Sequence, residues 1–308
     1  MAFPVTSGHP QYAGTFIPEL WAGKLIENFY DATVLAQISN TDYEGEIKGQ
    51  GDTVHIRTTP TLTIKDYVKG MTLQVERPDA PRIDLLIDKG KYWQAVADDV
   101  DKVQSDIALM DVWSKDASEQ MKLVVDRDVL PGMLSGISAY NSGLTAGAKT
   151  ASYNLGVAGT ALTVTKDGAG GTTSITDLIV DLGAVLDEAN CPEGDRYLVL
   201  PAKAVSLIKK SELKDASLSG DSTSILRNGR VGMIDRFTIY MSHNLHSSSG
   251  ETNIIAGTKR GLTFASQLTN METLRAESTF GTLIRGLQVY GYKVVKPEAL
   301  ATAVIKYS

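Results

Sequence analysis

The sequence predicts a mixed α+β chain in which an extended hairpin and one long helix precede a smaller alternating α/β region. Three observations lead there. Between Asp42 and Gly90 apolar residues alternate with a period of two. Between Gly90 and Pro131 they recur every three or four positions, with neither Gly nor Pro intervening. From Ser174 onward, helical and strand patterns take turns in short pieces.

Composition bounds the chain before any element is placed. It has 308 residues, 43% of them apolar and 21% charged, with 30 Lys and Arg against 36 Asp and Glu for a net charge of -6. At roughly 150 residues per domain, that is enough for about two compact units with a core of their own. The 28 Gly and 10 Pro show no period, which excludes collagen. Cys191 is the single cysteine, so no intrachain disulfide forms, and the lone thiol suits a reducing cytoplasm. No run approaches the ~20 apolar residues that span a bilayer. The first lysine is Lys24, and Gly8, His9, Pro10 and Gly14 stand where a secretory signal needs an apolar stretch. Lys and Arg never occur more than two in a row, which argues against a nucleic-acid reader but leaves open a protein that encloses nucleic acid.

Residues 1–16 read as an extended arm without a core of its own. Pro18 and Glu19 suit a helix start, and Trp21, Leu25, Phe29 and Ala32 carry a short amphipathic helix to about Leu35. Two strand arms follow: Val54, Ile56 and Thr58, then Ile83, Leu85 and Ile87, alternate with polar neighbours. Between them, Thr59 to Pro81 is dense in Lys65, Asp66, Lys69, Glu76, Arg77 and Asp79, with Arg82 just beyond, and reads as a stretch with few large apolar residues. Arms of ~15 residues would reach ~50 Å, too long for an isolated two-stranded ribbon, so the hairpin needs a neighbour to lie on. Val100, Val103, Ile107, Met110, Trp113, Ala117, Met121 and Val124 then predict one helix of ~33 residues, ~50 Å long. Asp98, Asp99 and Asp101 would favour its start, and Pro131-Gly132 its end.

Asn141 to Ser174, rich in Gly, Thr, Ala and Ser, reads as loops with a short hairpin near Leu162 and Val164, and marks a candidate boundary. Ser174 caps a helix to Ala189, and Pro192 and Gly194 separate it from a buried strand, Tyr197 to Leu200. Pro201 opens a helix to about Ser211. After a polar loop, Ser217 to Ser224, short strands are expected at Thr238–Met241, Asn253–Ala256 and Leu262–Ala265, and a last pair at Gly281–Val295 and Thr302–Ile305.

Catalytic signatures are missing from this pattern. There is no phosphate loop, no G-x-G-x-x-G opening a helix, no H-E-x-x-H and no C-x-x-C, and Gly136-Ile137-Ser138-Ala139-Tyr140 lacks the second glycine of a nucleophile elbow. His243 and His246 have only Glu251 near in sequence as a third ligand, and Asp98, Asp99 and Asp101 lack the spacing of a calcium loop, so neither group reads as a metal site. No catalytic residue, cofactor or metal is expected.

Phe16-Ile17-Pro18-Glu19-Leu20-Trp21, then Asn40, Tyr43-Glu44-Gly45-Glu46 and Gly51-Asp52-Thr53-Val54-His55-Ile56, resemble the start of tailed-bacteriophage major capsid proteins of the Hong Kong 97-like (HK97-like) fold. Arg285 to Leu300 is similar to their closing strands, so the resemblance covers nearly the whole chain. It implies an N-terminal arm (1–41), an extended hairpin loop (42–95), a peripheral domain on a spine helix (96–174), an axial domain (175–270) and return strands (271–308). It also implies self-assembly into hexamers and pentamers of an icosahedral head around double-stranded DNA, within a virion put together in the host cytoplasm. The partners it implies are a separate scaffolding protein, a portal and a decoration protein; it implies no membrane. The charged residues of the hairpin, Lys65, Asp66, Lys69, Glu76, Arg77, Asp79 and Arg82, become candidates for contacts between subunits. Some relatives join subunits by Lys to Asn isopeptide bonds, but no motif here matches, and no covalent crosslink is expected. A nanocompartment shell holding a cargo enzyme, a tail or sheath protein and a motif-free enzyme stand as alternatives.

Overall fold

The computed structural model describes residues 33–42, 53–60, 62–78, 81–98, 109–211, 232–276 and 280–307. Nearly all of the expected arm and first helix, and the loop Ser217 to Ser224, lie outside them. The elements are α1 (Leu35–Ile38), β1 (Thr53–Arg57), β2 (Arg82–Leu86), β3 (Lys89–Asp98), α2 (Leu109–Met133), β4 (Leu162–Thr165), β5 (Thr173–Ser174), α3 (Ile175–Glu188), β6 (Arg196–Leu200), α4 (Ala202–Lys210), β7 (Met233–Ile234), β8 (Phe237–Met241), β9 (Ser247–Ser248), β10 (Glu251–Thr258), β11 (Leu262–Arg275), β12 (Gly281–Val294) and β13 (Leu300–Tyr307). Among the described residues the strands form three sheets: β1-β2, the large sheet β5-β4-β13-β10-β6-β8-β7 with β9 beside β10, and β11-β12-β3.

The large sheet sits where β6 requires it to. A strand without a polar side needs cover on both faces, and all five residues of Arg196-Tyr-Leu-Val-Leu200 are buried. Leu198 and Leu200 pack with Ile254, Ala256 and Ile305 under α3 and α4, while Tyr197 and Val199 pack with Ile255 and Leu300 against α1 and the end of α2. As expected, Ser174 caps α3, its Oγ accepting the Thr176 N–H at 3.3 Å. The Arg196 guanidinium is wholly buried and donates to the Asp187 carboxylate at 2.6 Å and the Cys191 carbonyl at 2.8 Å. Burial works against the Asp187 charge, but Arg196 and Arg236 outweigh it and hold its carboxyl below the ordinary range.

Three expectations about helices need correction. The first helix does not include Thr33 and Val34. The Val34 N–H donates to the buried Asp126 carboxylate at 2.8 Å rather than to a helical carbonyl, and a single helical turn begins at Leu35. The long helix does not start near Asp98, which ends β3 opposite Gly281; Asp99 and Asp101 lie outside the described residues. The lack of Gly and Pro suggested helix there, but Tyr92, Trp93 and Val96 are strand formers and the stretch pairs with β12. Nor do Pro131 and Gly132 stop α2, which runs through both to Met133, because Leu130 and Met133 are buried and packing overrides local propensity. Its described 25 residues span about 37 Å.

The helix is bound to the third sheet by a polar cluster. Lys89 Nζ donates to the Asp128 carboxylate at 2.8 Å and to the Tyr292 hydroxyl at 3.2 Å, and the Tyr290 hydroxyl donates to Asp128 at 3.0 Å. Burial opposes the Asp128 charge, but Lys89 and Tyr290 outweigh it and keep the carboxyl below its usual range. On the opposite side of this sheet lies the base of the hairpin: Ile56, Leu85, Ile87 and Ala265 form a small buried core with Val289 beside it. Gly291 makes that approach possible, since a Cβ there would collide with the Leu86 carbonyl oxygen and sit 3.0 Å from Ile87 Cα.

Two outcomes follow. Gly291→Ala should cost about 1–3 kcal/mol by overpacking, read by urea unfolding, and should speed proteolytic cleavage within residues 53–86. Asp128 contributes stability above its unfolded pKa of about 4 and loses it as pH falls through the lower folded value. Asp128→Asn should therefore flatten the fall of the thermal midpoint between pH 5 and 3.

Candidate functional site

The hairpin is built from one register carried outward. β1 and β2 pair from Thr53↔Leu86 to Arg57↔Arg82. Beyond the ladder the same symmetry holds: the Thr58 N–H donates to the Pro81 carbonyl at 3.3 Å, Thr63 Oγ1 to Glu76 Oε1 at 3.1 Å, and the Met71 N–H to the Val68 carbonyl at 3.1 Å. Each pair is centred on Lys69-Gly70, where Gly70 takes φ +91, the third position of a turn that demands positive φ. Only five residues per arm form ladder, but the arms are 17 residues each and reach about 55 Å if fully extended.

Within the ladder, period-two alternation gives the hairpin two faces. The polar face carries His55, whose Nδ1 lies 2.6 Å from Asp84 Oδ1, with Arg57 and Arg82. The hydrogen bond from His55, joined by Arg82, holds the Asp84 carboxyl below its ordinary value. The opposite face carries buried Ile56 and Leu85. Beyond the ladder the apolar side chains Leu62, Ile64, Val68, Met71, Leu73 and Val75 are bare: Ile64 is 92% exposed and Val75 93%.

The expected contact residues are therefore distributed, not clustered. Arg82 stands on the polar face of the ladder, Lys69 at the turn, and Lys65, Asp66, Glu76 and Arg77 along the arms between, and all six are exposed; Asp79 lies outside the described residues. Reading the tip as charged with few large apolar residues missed its bare apolar side chains. Their signal was present in Leu62 and Ile64, then Leu73 and Val75, at strand spacing.

The third sheet offers two more uncovered surfaces. On its helix side, Trp113, Ala117, Met121 and Val124, whose spacing predicted the helix, line an open trough of about 370 Å³ with Trp93; the buried face of α2 is Val125, Val129, Leu130 and Met133. On its hairpin side, beyond Val289, register places Tyr92, Val96, Leu274, Leu283 and Leu287 around the ion pair Arg285–Glu272 at 2.6 Å. Tyr92 is 75% exposed there and Val96 48%.

The dismissed residues take ordinary places. His243 and His246 are exposed between β8 and β9, and Glu251 accepts the Gly159 N–H at 2.9 Å. Among the described residues no group of His, Cys, Asp and Glu is placed to hold a metal, and no helix is long and apolar enough to cross a membrane. Burial pushes the Cys191 thiol up.

Comparison with known proteins agrees with this architecture. No curated protein matches the chain. Among solved structures, one from Mycobacterium phage Che8 is similar at 27% identity and TM-score 0.76, covering 94% of this chain and 97% of that one. The capsid of cyanophage P-SCSP1u shares the fold at 15% identity and TM-score 0.71, covering 95% and 93%. The capsid of a native GTA particle does so at 15% identity and TM-score 0.69, covering 96% and 97%. The family described as phage capsid protein matches residues 89–303, well over half of the chain. With its sheets, spine helix and projecting hairpin in the Hong Kong 97-like arrangement, the chain belongs to the phage capsid protein family and is a structural, shell-forming component of the virion.

Proposed function

We propose that the chain assembles into hexamers and pentamers that close an icosahedral head around double-stranded DNA, each hairpin lying across an adjoining copy. The observation that carries this is the run of apolar side chains along the hairpin, buried at its base and bare toward its tip. Exposed apolar surface of this extent marks an interaction site, and each large side chain fully covered contributes about 1.5–3 kcal/mol. A projection from one subunit onto the next is a head-to-tail contact, which closes into rings when its rotation permits.

Lys65, Asp66, Lys69, Glu76, Arg77, Asp79 and Arg82 then give the contact its register and partner choice more than its strength. Many such contacts in one ring sum, so none need be strong. The net charge of -6 and the scattered basic residues suit enclosure of DNA without sequence reading. A scaffolding protein, a portal and a decoration protein complete the proposed set of partners, and assembly takes place in the host cytoplasm.

Deleting Thr61 to Asp79 should leave a folded subunit, with unchanged circular dichroism, that forms no shells in negative-stain micrographs; normal shells would remove the hairpin from the assembly. Purified particles should contain double-stranded DNA, whereas protein cargo in its place would mark a nanocompartment. Mature particles boiled in detergent should run as one monomer band, because Lys65 and Lys69 form no isopeptide bond; a ladder of multiples would overturn that.

A further inference from the structure

We infer that β7 is a strap, held shut by charge against its own strained turn, that guards the edge strand β8 from pairing with a second copy of the chain.

The strain lies in the turn. Ile234 pairs with Phe237, so the β7-β8 hairpin closes over two residues, and both of them, Asp235 at φ 45 and Arg236 at φ 66, take left-handed backbone. Hairpin turns with positive φ at both central positions draw on Asn-Gly or Asp-Gly, because a Cβ makes that conformation costly. Here the second position holds an arginine. Strand pairing offsets little of the cost, since β7 is only Met233–Ile234 and Met233 is 71% exposed.

The clamp is electrostatic. The Arg236 guanidinium donates to the Asp187 carboxylate of α3 at 2.9 Å and stands 3.2 Å from the Glu193 carboxylate in the loop after α3. One helical turn before Asp187, Gly183 leaves the room that the Asp235 carboxylate fills. Arginine is thus the residue that the turn disfavours and the two carboxylates require. All three side chains of the clamp are partly exposed, so it is weak and yields to salt.

What the strap covers is one end of the large sheet. β8 is bonded to β6 along its inner edge, while residues 232–234 occupy its outer edge, where the Ile239 N–H donates to the Gly232 carbonyl at 3.2 Å. With the strap lifted, Phe237–Met241 forms an open edge with no charge and no proline among its five residues. Natural sheets avoid such edges because another strand adds to them readily. A second copy is the occupant that fits, since the same edge turned about a two-fold axis pairs antiparallel with itself. That contact is self-complementary, whereas the proposed rings need head-to-tail contacts, so the strap keeps subunits out of a dead-end dimer.

Hydrogen exchange of the unassembled full-length subunit, read by mass spectrometry over residues 232–241 with β10 as the internal control, tests both halves. Arg236→Gln removes the clamp and leaves the strain: exchange over 232–241 should quicken about tenfold while β10 is unchanged. The same variant should dimerise, by light scattering, at a concentration where wild type is monomeric. Asp235→Asn/Arg236→Gly removes clamp and strain together, so its protection should match wild type and no longer respond to salt. Adding Met241→Lys to Arg236→Gln charges the bared edge, so exchange should stay fast and the dimer should be lost. Wild-type exchange in Arg236→Gln, or equally fast exchange in the double variant at 235 and 236, would overturn the clamped, strained turn. A monomeric Arg236→Gln, or a dimer that survives Met241→Lys, would overturn the guarding role. If Arg236→Gln does not fold, wild type taken from about 0.1 to about 1 M salt replaces it, and exchange over 232–241 that does not change counts against the clamp.

Discussion

The close approach of main chain to main chain at Gly291 is the constraint on which the rest of the structure depends. With no side chain between Gly291 and the Leu86-Ile87 backbone, the hairpin base lies flat on the sheet, and Ile56, Leu85, Ile87 and Ala265 fill the narrow space around the contact. Flatness at the base sets the direction in which the two arms leave it. Within the ladder side chains alternate strictly, so seating Ile56 and Leu85 on the sheet turns His55 and Asp84 to the other side. The arms beyond that ladder still face each other residue for residue about Lys69-Gly70.

Rigid attachment behind that base comes from carboxylates placed where elements meet. Asp128 joins α2 to β3 and β12 through Lys89 and Tyr290, Asp126 receives the chain entering α1 at Val34, and Asp187 ties α3 to β6 through Arg196. Charge-assisted hydrogen bonds of this kind are directional. Ion pairs that stay partly exposed, as Lys89–Asp128 and Arg196–Asp187 do, add little net stability, so their contribution here is orientation, while the apolar clusters supply the bulk of the cohesion.

Much of the fold could be read from local chemistry. α3, β6 and α4 are legible from Ser174, the Pro192 and Gly194 break and Pro201, because capping and chain-breaking are short-range effects. β3 was not, since absence of Gly and Pro is equally compatible with strand, and only pairing with β12 decides it. β11, of 14 residues, was read only as Leu262–Ala265, whereas β12 was read to within one residue of its bounds. Gly286 and Gly291 interrupt the β12 pattern, yet each glycine marks a close approach, to Trp93 and to Leu86. At the candidate site the charges were visible and the bare apolar side chains were not, because counting charges along Thr59 to Pro81 passes over Leu62, Ile64, Leu73 and Val75 between them.

The position of β13 has a consequence for how the subunit is made. Residues 300–307 leave the ribosome after every other described strand, yet they lie inside the large sheet, between β10 and β4, with six of their eight residues buried. Until they insert, β4 and β5 have no partner joining them to β10, and the apolar cluster under α3 stays open. The large sheet and the core beneath α3 are therefore completed only when these last strand residues have emerged.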